Sequence, residues 1–133
     1  MTTWMVVEDE PGLYDMVLTM YSLMGVHGVA FTTGEDALDW IEAVDKGQFS
    51  DEIPELAMLD IRLPGAEDGV AVGVRMRQSP ILKHTRIVLM TAYKLSPRDE
   101  THIKQQVQAD ILLYKPLPDF ETLQQLLFDI AKS

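Results

Sequence analysis

Short, unbroken apolar runs alternate along the chain with longer stretches in which apolar residues recur at helical spacing. A short apolar run of this kind is typical of a strand that is buried on both faces of a parallel sheet. Regular alternation of such strands with helical stretches favours a series of βαβ units. The pattern predicts strands at residues 4–8, 29–32, 56–59, 86–90 and 110–114.

Capping residues and helical spacing predict a helix after each of these strands. In the third helix Val70 and Val74 lie one turn apart and are expected to face the core. The fourth helix offers only Ile103 and Val107, also one turn apart, so we expect it to be lightly anchored. The five helices are expected to begin near Pro11, Gly34, Gly69, Pro97 and Asp119.

These elements predict one fold class, an α/β doubly wound sheet of the flavodoxin-like type. Right-handed crossovers between five parallel strands give a doubly wound sheet, for which we expect the strand order 2-1-3-4-5, with five helices covering the two faces. The chain has no internal repeat, low-complexity tract or interdomain linker, so residues 1–133 are expected to form a single domain. In this order the winding reverses between the first and third strands, where an open α/β sheet binds its ligands.

Polar residues of the kind that phosphoryl chemistry uses follow four of the predicted strands. They are Glu8 with Asp9, then Asp60, Thr91 and Lys115. Because parallel strands end at the same edge of a sheet, these side chains are expected to meet in one crevice. Carboxylates that share a crevice repel one another unless a cation lies among them, and their oxygens are ligands that Mg²⁺ prefers. The sequence therefore predicts a magnesium site at this edge.

Asp60 is the candidate nucleophile, since a carboxylate can carry a covalent phosphoryl group and this one follows the most apolar strand. Lys115 and Mg²⁺ would supply positive charge to the transferred oxygens, and the Thr91 hydroxyl would hold one of them. Taken singly, each residue has a structural explanation: the acidic segment 8–10 can cap a helix, Asp60 can act as a cap, and Thr91 can close a turn. Their joint occurrence, in this order at these strand ends, favours the site.

Composition narrows the classes of function. The formal net charge is −10 and the isoelectric point is about 4.5, so the chain repels nucleic acid phosphates and anionic lipid. There is no cysteine, which excludes disulfides and thiolate metal sites and is compatible with a cytoplasmic protein. No apolar stretch approaches the roughly 20 residues of a membrane span. We therefore expect neither a nucleic acid nor a membrane partner.

Four segments make the chain similar to the receiver domain of the two-component response regulators, and the resemblance covers essentially all of it. Each segment is weakly specific alone, and together they are highly specific. They are Val7-Glu8-Asp9-Glu10-Pro11, Leu59-Asp60-Ile61-Arg62-Leu63-Pro64-Gly65, Met90-Thr91-Ala92 and Tyr114-Lys115-Pro116.

The resemblance implies a phosphorelay function. Asp60 would accept a phosphoryl group from the phosphohistidine of a sensor histidine kinase or a phosphotransfer protein. Mg²⁺ would be bound directly by Asp9 and Asp60, through water by Glu8, and by the backbone carbonyl of Arg62. The domain would catalyse only its own phosphorylation and dephosphorylation, so it is not expected to be an enzyme with a separate substrate.

The resemblance further implies that Thr91 and Lys115 contact the phosphoryl group and transmit the conformational change caused by phosphorylation to the last two helices. A downstream effector protein would recognise that change there. The resemblance also allows a dimer whose formation is linked to phosphorylation, and the oligomeric state stays open. The chain is either a stand-alone regulator or a piece of a longer protein. The sequence does not choose between these.

Three alternatives compete with this function. A receiver-like scaffold that works without phosphorylation is favoured by Leu112, which stands where the family usually has an aromatic residue. A phosphatase of the haloacid dehalogenase type needs a second aspartate two residues after the nucleophile, where this chain has Arg62. A flavodoxin-like cofactor module needs a glycine- and hydroxyl-rich loop after the first strand, where this chain has the acidic segment 8–10.

Overall fold

The computed structural model of the chain describes residues 2–133. Its strands are β1 (Thr3–Val7), β2 (His27–Phe31), β3 (Leu56–Asp60), β4 (Arg86–Thr91) and β5 (Ile111–Tyr114). Its α-helices are α1 (Pro11–Leu23), α2 (Gly34–Asp45), α3 (Gly69–Gln78), α4 (Pro97–Val107) and α5 (Phe120–Lys132), and a single 3₁₀ turn spans Ser50–Glu52. None of the helices within residues 2–133 is long and apolar enough to cross a bilayer.

The five strands form one parallel sheet in the order β2-β1-β3-β4-β5. This confirms the predicted order and the α/β flavodoxin-like fold class. Strands β1 and β3 lie side by side at the point where the winding reverses, and Val7 pairs there with Leu59. The residues that follow these two strands therefore emerge next to each other, at the edge where ligands bind in open α/β sheets.

Every α-helix begins at a capped residue, which confirms the predicted helix starts to within one residue. A cap side chain accepts a backbone N–H that the first turn cannot satisfy internally. Pro11 and Pro97 occupy first-turn positions, where the missing N–H is tolerated. The capping side chains belong to Glu10, Thr33, Asp68, Ser96 and Asp119.

Apolar side chains form a core on each face of the sheet. Helices α2, α3 and α4 cover one face, where Val7, Leu59 and Leu89 are buried. Helices α1 and α5 cover the other, where Trp4 packs edge-on against Tyr21 with ring centroids 5.5 Å apart. The strands are therefore buried on both faces, as their continuous apolar runs predicted.

Helix α4 is lightly anchored, as predicted, because Val107 is its single buried residue. Its carboxyl-terminal end is held instead by Arg77 of α3. The Arg77 guanidinium donates to the carbonyls of Val107 (3.0 Å) and Gln108 (2.8 Å), and to those of Lys83 and Thr85 (both 2.7 Å). One side chain thus joins the end of α4 to the loop before β4.

The limits of all five strands differ from the predicted ones by one or two residues, most of all in β1 and β2. Strand β1 ends at Val7, so Glu8 lies just past it, although the Glu8 N–H still donates to the Phe31 carbonyl at 3.0 Å. Strand β2 begins at His27 rather than at residue 29, because the His27 N–H donates to the Thr2 carbonyl at 2.8 Å and starts the pairing earlier.

The buried face of α3 also differs from the prediction. Val70 and Val74 are only half-buried, whereas Val72 and Gly73 are buried. An added Cβ at Gly73 would lie 2.6 Å from a methyl carbon of Val107, so this glycine allows α3 to approach α4 closely. The close approach turns the small residues inward and leaves the two valines near the surface.

Candidate functional site

The carboxylates of Glu8, Asp9 and Asp60 meet at the carboxyl ends of β1 and β3. Glu8 and Asp9 follow β1, and Asp60 is the last residue of β3. One carboxylate oxygen from each lies within 4.8 Å of the other two. Glu8 is fully buried, Asp60 is 4% exposed and Asp9 is open to solvent. Together with Lys115 they form what we call the carboxylate crevice.

Lys115 lies just past β5, and its ammonium group joins two of these carboxylates. The Lys115 Nζ is 2.8 Å from Glu8 Oε1 and 2.9 Å from Asp60 Oδ2. Its backbone N–H donates to the Thr91 carbonyl at 2.8 Å, and the peptide bond to Pro116 is cis. A cation held between two buried carboxylates offsets the repulsion that they would otherwise exert on each other.

Burial shifts the protonation equilibria of this pair. Burial raises the pKa of the Glu8 carboxyl above its ordinary value of 4.5, against the opposing effect of its hydrogen bonds with Lys115 and the Glu10 N–H. Burial acts to lower the pKa of Lys115, but its hydrogen bonds to Glu8 and Asp60 outweigh that effect and raise the pKa above 10.5. Lys115 therefore carries its charge at neutral pH.

Backbone amides orient two of the three carboxylates. Asp60 Oδ1 accepts the Arg62 N–H at 3.0 Å, and Glu8 Oε2 accepts the Glu10 N–H at 3.0 Å. The Glu10 carboxylate itself caps α1 and is committed there. Within residues 2–133, Asp9 receives no side-chain hydrogen bond and forms no ion pair. Asp9 is thus the carboxylate most available to a ligand.

Thr91 lies at the same edge of the sheet but is not bonded to the carboxylates. It is the last residue of β4 and is buried, and its hydroxyl accepts the Tyr93 N–H at 3.1 Å. In the register of the sheet it pairs with Tyr114, the residue before Lys115. Thr91 is therefore one strand away from Asp60, with its hydroxyl engaged in its own turn.

The side chain of Arg62 contacts Tyr93, a neighbour that the sequence did not predict. Its guanidinium carbon lies 4.2 Å from the centroid of the Tyr93 ring, which is 55% exposed. This cation–π contact joins the loop after β3 to the loop after β4 across the mouth of the site. Each of these two residues lies two positions after a strand-ending polar residue, and this shared spacing is the signal that the sequence offers. The contact between them depends on the tertiary fold, which the spacing does not reveal.

Gly69 brings the first turn of α3 against the backbone that carries Asp60. An added Cβ at Gly69 would overlap the Asp60 carbonyl oxygen and lie 2.7 Å from its carbonyl carbon and 3.1 Å from Ile61 Cα. The Gly69 N–H donates to the Ile61 carbonyl at 3.0 Å. No side chain larger than hydrogen fits here, so this glycine fixes the position of Asp60 relative to α3.

The donor set of the crevice fits Mg²⁺. Its carboxylates offer only hard oxygen donors, and each can accept more bonds than it makes here. The exposed Asp9 leaves an entry from solvent, while the buried Glu8 and Asp60 form the wall behind it. The arrangement can therefore hold a partly hydrated divalent cation beside the fixed charge of Lys115.

The raised pKa of Glu8 predicts a pH dependence of stability that Glu8→Gln should remove. The folded state binds this proton more tightly than the unfolded state, so the contribution of Glu8 to wild-type stability is expected to rise as pH falls through its folded pKa towards 4.5. Glutamine does not titrate. The free energy of unfolding of the wild type relative to Glu8→Gln should therefore increase as pH falls, measured by urea unfolding with divalent cations removed. A difference that stays flat from neutral to acidic pH would contradict the burial effect.

The comparisons with known proteins agree with this geometry. The family model of the response regulator receiver domain matches residues 4–128. No curated protein shows significant similarity to the chain. Among solved structures, chemotaxis protein CheY4 of Vibrio cholerae is 23% identical over 98% of each chain, with a TM-score of 0.79.

Two further receiver domains have the same fold. The receiver domain of sensor histidine kinase PA1611 from Pseudomonas aeruginosa, described with a magnesium ion in its active-site cleft, is 21% identical over 99% of this chain and 98% of its own, with a TM-score of 0.79. The BeF3-activated receiver domain of Klebsiella pneumoniae RstA is 23% identical over 99% of this chain and 100% of its own, with a TM-score of 0.77. At these identities the structures show a common fold alone. Because the family model matches nearly the whole chain, the chain belongs to the response regulator receiver domain family.

Proposed function

We propose that residues 1–133 form a single receiver domain that is switched by phosphorylation of Asp60. The donor would be the phosphohistidine of a sensor histidine kinase or a phosphotransfer protein. The observation that carries the proposal is the position of Lys115 Nζ, 2.9 Å from Asp60 and 2.8 Å from Glu8, in a crevice that also contains the free carboxylate of Asp9. Nucleophile, fixed cation and metal donors thus converge on one point.

The chemistry follows from these positions. An Asp60 carboxylate oxygen attacks phosphorus, the P–N bond breaks, and its electron pair returns to the imidazole nitrogen, which takes up a proton. Lys115 faces Asp60 and would counter the charge on the phosphoryl oxygens. Thr91 would donate its hydroxyl to one of them. Attack by water on phosphorus later breaks the P–O bond and restores the carboxylate, so the domain acts only on its own phosphoryl group.

Metal binding would be shared among the crevice residues. Asp9 and Asp60 would bind Mg²⁺ directly, Glu8 through water, and Arg62 through its backbone carbonyl. When bound, Mg²⁺ supplies positive charge against the phosphoryl oxygens. The free carboxylate of Asp9 and the oxygen-only donor set support this assignment, as does the magnesium described in the Pseudomonas receiver domain. A downstream effector protein would read the phosphorylated state.

The proposal is tested by intact mass after incubation with acetyl phosphate, with and without Mg²⁺. We expect the wild type to gain one phosphoryl group only when Mg²⁺ is present, and Asp60→Ala to gain none. The matched control is Asp39→Ala, an exposed aspartate of α2, which should gain the group as the wild type does. If the wild type gains nothing under any condition, the phosphorylation-independent scaffold becomes the better description, with Leu112 as its basis.

A further inference from the structure

A second cavity lies beside the carboxylate crevice, between the loop after β3 and the loop after β4. Its volume is about 390 Å³, and Thr91 lies at its inner end. Its apolar walls come from both loops and from two helices: Leu63, Val70, Leu95 and Ile103 line it and are all partly buried. We call it the loop cavity. Cavities of this size are large enough to take one or two apolar side chains.

Arg62 also lines the loop cavity, and its side chain is exposed. Although the chain contains 21 acidic residues, none of the ion pairs formed within residues 2–133 includes Arg62. The one nearby acid that lines the cavity, Asp68, is committed to the Ala71 N–H at 2.9 Å as the cap of α3. Arg62 is therefore a cation without an ion-pair partner within residues 2–133, in a lining whose other charged residue is Asp68.

The contact between Arg62 and Tyr93 prepares this cation for a ligand. The guanidinium lies over the ring at 4.2 Å, so its position is already restricted before anything binds. A guanidinium that packs on an aromatic face keeps the N–H donors of its edge free, and that edge matches a carboxylate with two parallel hydrogen bonds. Because the side chain is partly ordered beforehand, binding loses less conformational entropy.

We propose that the loop cavity is a docking site for a segment of a partner protein in which an acidic residue adjoins an apolar one. The carboxylate binds Arg62, and the apolar side chain enters between Leu63 and Leu95. Charge complementarity at Arg62 argues for this occupant, since a guanidinium that has no ion-pair partner within residues 2–133 attracts a carboxylate at short range. The docking does not depend on phosphorylation of Asp60, so the two proposals stand or fall separately.

The test uses the unphosphorylated full chain and the probe peptide acetyl-Glu-Leu-Asp-Leu-Glu-amide, followed by ¹H–¹⁵N NMR. We expect chemical-shift changes concentrated in residues 61–66 and 91–95, with a Kd on the order of 1 mM or tighter. Arg62→Gln should weaken binding about tenfold because it removes the charge-assisted pair. Arg98→Gln, which removes an exposed arginine of α4 instead, should leave the affinity unchanged.

A second variant tests the apolar half of the site. Leu95→Ala removes part of one wall and should weaken binding about fivefold, since roughly one kcal/mol of apolar contact is lost. Three results would overturn the proposal: no binding at millimolar peptide, shift changes that centre on another surface, or equal loss of affinity in Arg62→Gln and Arg98→Gln. Equal affinity for the uncharged peptide acetyl-Gln-Leu-Asn-Leu-Gln-amide would overturn it as well, because that peptide has no carboxylate for Arg62.

Discussion

Replacement of Gly69 by alanine is expected to lower the free energy of unfolding by about 3 kcal/mol or more. The added methyl carbon would overlap the Asp60 carbonyl oxygen and approach the Ile61 Cα to 3.1 Å. Both obstacles are backbone atoms, so no side-chain rotation relieves the clash. The start of α3 would have to move away from β3, breaking the hydrogen bond from the Gly69 N–H to the Ile61 carbonyl.

The measurement is urea unfolding of Gly69→Ala beside Gly12→Ala. Gly12 is the matched control because it also lies in the first turn of a helix, but an added Cβ there would meet only the flexible carboxylate of Glu10, at 3.2 Å. Alanine at that position should be neutral or stabilising by up to about 1 kcal/mol. A Gly69→Ala protein within 1 kcal/mol of the wild type would show that α3 can shift freely, contrary to the contact described above.

Lys115→Met is expected to destabilise the fold by about 3 kcal/mol at neutral pH. Methionine keeps the length of the side chain and removes its charge, which leaves the carboxylates of Glu8 and Asp60 facing each other without a cation. Both are buried, and the lysine that separates them is only 18% exposed, so solvent screens the repulsion weakly. When one partner of a buried ion pair is removed, the charge that remains is buried without compensation and destabilises the folded state.

The loss should be measured by urea unfolding at several pH values in the absence of divalent cations. Because the pKa of Glu8 is already raised, this carboxyl takes up a proton readily as pH falls, and the deficit of Lys115→Met should shrink towards acidic pH. Lys83→Met is the control, since Lys83 is an exposed residue of the loop before β4 whose side chain forms no ion pair within residues 2–133. An equal effect in both variants would point to a general charge effect and not to the crevice.

Much of the fold could be predicted from the sequence because each strand is a continuous apolar run between recognisable caps. The strand order was expected from the common topology of doubly wound sheets, and the order in turn predicted that Glu8, Asp9, Asp60, Thr91 and Lys115 would meet. The convergence of the three carboxylates and Lys115 is confirmed, whereas Thr91 lies one strand away from Asp60 and the chemical roles stay predictions. This prediction holds because sheet topology, rather than side-chain detail, decides where the ends of the strands lie.

The parts that could not be predicted depend on tertiary contacts. Helix α3 is apolar on several sides, so its sequence allows more than one buried face, and the approach of Gly73 to Val107 decides between them. Arg62 and Tyr93 are 31 positions apart in the chain, and nothing in either local pattern indicates that they touch. Gly69 reads as an ordinary residue after a helix cap until the backbone beside it is known.

Arg77 fixes helix α4 at its carboxyl-terminal end only. Two hydrogen bonds from Arg77 hold its carboxyl terminus, and its single buried side chain, Val107, lies at that same end. The opposite end follows the loop after Thr91, which carries Tyr93, and the first two turns of the helix bury no side chain. We therefore expect a small displacement of that loop to tilt the helix about its far terminus, with the partly buried Ile103 shifting against the core.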